Sequence, residues 1–263
     1  MRLERSITRR MKKSKVLAPL SFNSSRAYLE RFAIEASESL DQPGVVLDAG
    51  AGDCCYEPTF KGHTYESADF CQVDKAYSEV TYVCDLADIP VEADRYDLVF
   101  CSQVLEHLPE PKKVLEEFLR VLKPGGKLWL SAPLFFPEHE QPYDFYRYTQ
   151  FGFEHLLTTS GFAVEDVGWL EGYFGTLSFQ FRSAGVELPL SPKSYGGGVV
   201  GVACLPVILA LKPLLVLLGA AFSALDIRHR HDKSGMCKNY RVVAVKPESA
   251  SLAPPAEKQA ASS

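Results

Sequence analysis

What this sequence lacks narrows it first. No two of its cysteines stand in a C-x-x-C spacing: the seven, at 54, 55, 71, 84, 101, 204 and 237, are scattered and odd in number. That argues against a zinc cage or a disulfide frame and predicts free thiols in a reducing, cytoplasmic compartment. The start has no apolar core of the kind a secretory signal needs, so export is not expected. Strong net charge is missing too, and a formal −5 over 263 residues gives no reason to expect nucleic acid. The charge is nonetheless uneven, because Arg2, Arg5, Arg9, Arg10, Lys12, Lys13 and Lys15 face only Glu4 near the start. Two further absences bear on chemistry. No Gly-Lys-Ser/Thr follows the glycine loop at Gly50 and Gly52, which excludes a Walker loop. Cys55 stands where the dinucleotide fingerprint G-x-G-x-x-G needs its third glycine.

What is present centres on GVVLDAGAGD, residues 44–53. Pro43-Gly44 marks a turn, Val45-Val46-Leu47 suits a strand buried on both faces, and Asp48 falls where that strand ends. A loop with two glycines can turn sharply at the carboxyl edge of a sheet and let a ligand lie against bare backbone. An acidic residue just before the loop suits a cationic ligand better than a phosphate. Before this stretch the pattern predicts a helix over 24–40. After it, strands are expected at 65–70, ending in Asp69, and at 80–84, 96–101 and 127–132. A helix is expected over 112–122, stopped by Lys123-Pro124-Gly125-Gly126. A second, capped by Thr149, precedes a strand at 162–169. Asp69 follows Asp48 at the distance at which one crossover delivers an acid to ribose hydroxyls, with Glu66 the competitor if the register slips. Alternation of this kind predicts an α/β fold with a doubly wound, mostly parallel, Rossmann-like sheet.

VLDAGAG (46–52), Asp69, CDLADIP (84–90), YDLVFCSQVLEHL (96–108) and LKPGGKLWLSAP (122–133) together resemble the class I S-adenosylmethionine-dependent methyltransferases. The likeness is to the small-molecule branch, similar to quinone-biosynthesis methyltransferases. The resemblance implies seven strands with the last antiparallel, and S-adenosyl-L-methionine as cofactor. It further implies that Gly50 and Gly52 lie against the methionine part while Asp48 organises the loop and its ammonium contacts. Asp69 would hold the ribose, Asp85 and the Leu86 backbone would approach the adenine, and Ser102 with Gln103 would border the sulfonium. The pattern departs from the family at Cys54 and Cys55, where relatives keep small residues or glycine.

On the acceptor side, His107 is the titratable group beside the cofactor edge, with Glu106 its neighbour. A histidine in such a loop also commonly does no more than bond to backbone. LFFPEHEQPYDFYRYT follows Pro133, and its rings and charges suit a flap over a small-molecule or lipid-like acceptor, with Tyr143, Tyr146 and Arg147 as contacts and His139 as candidate base. The bland alternative is a loop pinned by Arg147 pairing with Asp144 or Glu140. Segments are expected as a basic leader over 1–23, a core over 24–170, an insertion over 171–238, the last strand over 239–247 and a disordered tail over 248–263. Within the insertion, 199–225 is apolar apart from Lys212 and a few small polar residues. Pro206, Pro213, Gly201 and Gly219 are expected to divide it into two short pieces. Three readings stay open for it: a re-entrant hairpin, an interfacial helix pair with Lys212 snorkelling outward, or an apolar cap packed on the domain or on a second subunit of a homodimer. Peripheral contact with the cytoplasmic face of a membrane is preferred. A non-catalytic membrane-associated scaffold is the alternative function. His229 and His231 sit in a basic run with one Asp232, too weak for a metal reading, and no metal site is expected.

Overall fold

The computed structural model describes residues 24–72 and 77–248, so the basic leader and nearly all of the expected tail lie outside the described residues. Two compact units are present. One takes 33–132, 138–168 and 241–248 of the described residues, the other 24–32, 133–137 and 169–240. The boundaries thus differ from the expected ones, with the start of the first helix and the stretch 133–137 grouped with the insertion.

In chain order the elements are α1 (Ser24–Glu38), β1 (Val45–Ala49), β2 (Thr64–Asp69), β3 (Tyr82–Val83), β4 (Tyr96–Ser102), α2 (Pro111–Val121), β5 (Leu122–Pro133), α3 (Gln150–Thr159), β6 (Ala163–Trp169), α4 (Tyr173–Glu187), α5 (Gly198–Arg228) and β7 (Asn239–Val245). The sheet has seven strands in the order β3-β2-β1-β4-β5-β7-β6. β1 lies between β2 and β4, parallel to both. Its Val46, Leu47 and Ala49 are fully buried, as are Leu98, Val99, Phe100 and Cys101 of β4. Strands covered on both faces need such unbroken apolar runs. Because the order reverses at β1, the connections leave in opposite directions and open a crevice at the carboxyl ends of β1 and β4.

β7 runs antiparallel to β5: Gly125 N donates to Lys246 O at one end and Leu134 N to Lys238 O at the other, so numbering falls along one strand as it rises along its neighbour. β5 begins five residues earlier than the pattern suggests. The Lys123-Pro124-Gly125-Gly126 run read as a helix stop belongs to the strand, where the register against β4 shifts between Tyr96 and Leu98 and Gly125 takes φ 78°. A glycine in the left-handed region is how a bulge takes up an extra residue. α2 is set by Pro111 in its first turn and by Val114, Leu115, Phe118 and Val121, all buried on one stripe. The cap foreseen on α3 is in place, Thr149 Oγ1 accepting from Gly152 N at 3.2 Å.

In the other unit α4 and α5 form an antiparallel hairpin. A Cβ at Gly219 would stand 2.4 Å from Arg182 Cγ, and one at Gly185 would stand 2.7 Å from Val216 Cγ2, so the two helices touch backbone to side chain at small residues. Ser178 Oγ donates to Gly219 O at 2.7 Å, and Gly172 N donates to Asp226 Oδ2 at 3.3 Å. Two expectations for this segment are corrected. α5 is one continuous helix of 31 residues, not two pieces. Pro206 and Pro213 lie two turns apart on one exposed face, where the carbonyls they leave without an amide partner do not face packed neighbours. Lys212 does not snorkel outward, because its ammonium donates to Val186 O at 2.8 Å and Leu188 O at 2.6 Å, at the end of α4. Only 6% of the most apolar window of α5 is buried.

Candidate active site

The crevice at the carboxyl ends of the strands holds a pocket of about 420 Å³, a size suited to a small organic ligand. Its floor is Gly50, at φ 81°. A Cβ there would stand 2.3 Å from a Val104 methyl, so glycine is required by packing as well as by conformation. The next turn is tied to the neighbouring strand, with Gly50 N donating to Ala68 O at 2.8 Å and Gly52 N to Asp69 Oδ2 at 3.0 Å. Asp69 Oδ1 accepts from Cys71 N at 2.9 Å. Each carboxylate oxygen has a second lone pair, so Asp69 keeps acceptor capacity for a ligand hydroxyl.

Of the residues singled out in the sequence, Gly50, Asp69, Asp85, Leu86, Gln103, His107 and Tyr143 line this pocket. Six do not. Asp48 is buried beneath the loop and accepts from Tyr65 Oη at 2.7 Å; burial pushes its carboxyl up to about 7, which suits a structural acid more than an ammonium partner. Gly52 spends its amide on Asp69. Ser102 Oγ lies 3.0 Å from Ser131 Oγ, a pairing between neighbouring strands. Tyr146 Oη donates to Pro109 O at 3.1 Å. Arg147 forks onto Asp144, Nη1 to Oδ1 at 2.6 Å and Nη2 to Oδ2 at 2.8 Å, and that pairing holds the Asp144 carboxyl down at about 2. This is the pairing that the pinned-loop alternative names, and Arg147 does not line the pocket. His139 stacks edge-on against His107, ring centroids 4.6 Å apart.

The far wall was not read from sequence. Phe70, at the end of β2, meets Tyr143 in a T-shaped contact at 5.4 Å, and Glu140 and Phe145 complete the roof. Only the aromatic character of 133–148 signalled this. Glu106 was noted as a neighbour and is in fact fully buried, its carboxyl pushed up to about 8 by burial. His107 Nδ1 lies 2.5 Å from Tyr143 O, which makes Nδ1 the donor and leaves Nε2 as acceptor. Burial lowers the His107 pKa, which keeps the ring neutral at neutral pH.

The pocket's chemistry discriminates between ligands. Among the described residues lining it there is no Lys or Arg, while Asp69 and Asp85 are both present. A phosphate-rich dinucleotide would meet carboxylates without compensation, whereas a nucleoside bearing a cationic sulfonium and an ammonium fits that field.

Comparison with known proteins agrees. A family model described as a methyltransferase domain matches residues 47–130. The chain is 28% identical over 124 residues to a ubiquinone biosynthesis O-methyltransferase of Coxiella burnetii, covering 43% of this chain and 50% of that protein. It is 32% identical over 112 residues to a probable S-adenosylmethionine-dependent methyltransferase of Mycolicibacterium smegmatis, covering 40% of this chain and 44% of that protein. It thus spans about half the length of these curated relatives. Among solved structures, the cyclase SpnF is similar with a TM-score of 0.52 at 20% identity, over 83% of this chain and 82% of that one. A 1,6-didemethyltoxoflavin-N1-methyltransferase of Burkholderia thailandensis, solved with S-adenosylhomocysteine, has a TM-score of 0.51 at 16% identity, over 84% and 79%. Likeness at that level shows the fold alone. None of these relatives supports the non-catalytic scaffold. The stretch 47–130 is thus similar to a methyltransferase domain, and the fold resembles that of these solved structures.

Proposed function

We propose that the chain transfers a methyl group from S-adenosyl-L-methionine to a small-molecule acceptor. The observation that carries this is the pocket at the strand order's reversal, walled by Gly50, Asp69, Asp85 and Leu86 and without a described basic side chain. The cofactor supplies an activated methyl whose departing sulfur needs no protonation. What the protein must do is align the partners and exclude water. Asp69 holds the ribose hydroxyls, and the Leu86 backbone with Asp85 meets the adenine. Gln103, at φ 60° and fixed by its amide to Ser131 O at 2.8 Å, borders the sulfonium end. Phe70 and Tyr143 close the wall, and the imidazoles of His107 and His139 stand on the acceptor side. Calorimetric titration with S-adenosylhomocysteine tests the reading. Binding that disappears in Asp69→Ala supports it, and a folded wild type that binds neither cofactor nor product ends it.

The acceptor is proposed to be lipid-like, reached at a bilayer. The support is α5: its exposed residues are apolar on every side, among them Val199, Val202, Val207, Leu209, Leu214 and Leu217. A helix apolar all round belongs in a core or in lipid, and this one is not in a core. At about 1.5 Å per residue its length exceeds the roughly 30 Å of a bilayer's hydrocarbon. Lys212, whose charge would oppose insertion, is already hydrogen-bonded to two carbonyls. Arg228, Arg230 and Lys233 follow at the polar end, where an anionic leaflet would attract them. A second copy would cover one face and leave the others wet. Flotation with anionic vesicles is expected to carry the protein up; a monodisperse dimer that ignores vesicles overturns the bilayer in favour of a homodimer.

A further inference from the structure

We propose that Glu106, His107 and His139 form a binding site for a divalent transition-metal ion at the acceptor side of the pocket. The primary observation is Glu106. It is 0% exposed, and neither of its carboxylate oxygens has a hydrogen-bond partner. Ionised, such a group needs a counter-charge; neutral, its hydroxyl still needs an acceptor. The main chain fixes it there, with Phe145 N and Tyr146 N donating to Glu106 O at 2.9 and 3.2 Å.

Two imidazoles complete the set. His107 Nε2 lies 3.8 Å from Glu106 Oε1, and its other nitrogen is engaged by Tyr143 O, the arrangement that fixes a ligating ring's tautomer and orientation. His139 packs edge-on to that ring, with Asp144 Oδ2 3.3 Å from its Nδ1, and Arg147 holds Asp144 in turn. One donor atom from each of the three residues lies within 4.8 Å of the others. Zinc bonds of about 2.1 Å set neighbouring ligands roughly 3.4 Å apart, a difference that side-chain rotation closes. Two imidazoles and one carboxylate suit zinc and its neighbours better than magnesium or calcium, and three protein ligands leave a coordination position open.

The ion's role rests on the methyltransferase reading; the site itself does not. His107 also lines the pocket, so the open position meets an acceptor oxygen. Bound there, an acceptor hydroxyl releases its proton to solvent. An oxygen lone pair then forms the new C–O bond as the C–S pair returns to sulfur, leaving a methyl ether and a neutral thioether. The imidazoles act through the ion, not as free bases.

The test uses the full chain stripped with a chelator and then dialysed against Zn2+ or Co2+. The readouts are metal content, the visible absorption of the cobalt form, and a separate titration with S-adenosylhomocysteine. Wild type is expected to keep an equimolar ion. Glu106→Gln and His139→Ala are each expected to lose the ion and the cobalt band while still binding S-adenosylhomocysteine. If Glu106→Gln does not fold, His139→Ala decides alone, since that side chain is partly exposed. A wild type that keeps no ion, or binds it no better than the variants, overturns the site and leaves the methyltransferase reading standing. Retained metal with no S-adenosylhomocysteine binding does the reverse.

Discussion

Asp69 reaches back across the first crossover to the glycine loop, its Oδ2 accepting from Gly52 N at 3.0 Å while Oδ1 accepts from Cys71 N. One carboxylate thus holds the loop's shape, and in the proposed function the same group also offers lone pairs to a ribose. Asp69→Ala removes two charge-assisted bonds to backbone amides, a loss on the order of 3 kcal/mol. For a domain of this size that lowers the melting temperature by roughly 5–10 °C. The stabilisation that S-adenosylhomocysteine gives wild type should vanish as well. Differential scanning fluorimetry with and without the ligand reads both. A variant as stable as wild type that still responds to ligand sinks the dual role.

The strands around Asp69 show where sequence reading succeeded and where it stopped. β1, β2 and β4 were legible because a buried parallel strand admits little but apolar residues, and Asp69 was legible because crossover length fixes where a strand's end must fall. Partnerships across the sheet were not. Ser102 and Asp48 carry the right chemistry beside the right loop, but nothing near them in sequence says that Ser131 and Tyr65 are their hydrogen-bond partners. Arg147 and Asp144 stand three apart, so their pairing was among the alternatives, but which side of the segment faces the pocket is set by tertiary contacts. Hydropathy found α5; that two prolines fall on one face of an unbroken helix takes coordinates.

The Asp144–Arg147 fork makes an acid-side prediction. Asp144 has a folded pKa of about 2 against an ordinary 3.8, chiefly through the Arg147 hydrogen bonds. A depressed acid contributes stability above its unfolded pKa and loses it as pH falls through the folded one. Arg147→Ala should therefore melt below wild type at neutral pH, by on the order of 1–2 kcal/mol. The gap should close between about pH 4 and pH 2. Melting curves across that range check it, and a gap independent of pH would mean that packing, not charge, is what Arg147 supplies.

Asp48 predicts the opposite slope. Burial lifts its carboxyl from 3.8 to about 7, so the folded state holds the proton more tightly and stability falls as pH rises through that interval. Asp48→Asn keeps an oxygen for the Tyr65 hydroxyl but cannot ionise. It should match or trail wild type near pH 5 and exceed it near pH 8.5, by on the order of a few kcal/mol. In protein stripped of metal, Glu106, pushed up to about 8 by burial, adds to the same slope in wild type and remains in the variant, so a residual alkaline decline is expected there. Equal pH dependence in both proteins would show that Asp48 reaches water.

Gly219 tests the hairpin. A Cβ there would stand 2.4 Å from Arg182 Cγ and 3.0 Å from Ser178 O, the first a side-chain atom and the second backbone. Gly219→Val should force the helices apart at a cost of about 1–3 kcal/mol. It should also break the Ser178 hydroxyl's bond to the carbonyl of residue 219. Because the pocket residues lie in the other compact unit, S-adenosylhomocysteine affinity should stay unchanged while protease cleavage between 188 and 197 rises. Gly219→Ala, with one added methyl, should show the same change more weakly. Should Gly219→Val leave cleavage unaltered, the helices are held by their apolar surroundings and not by this close approach, and the small residues along α5 have no packing role there.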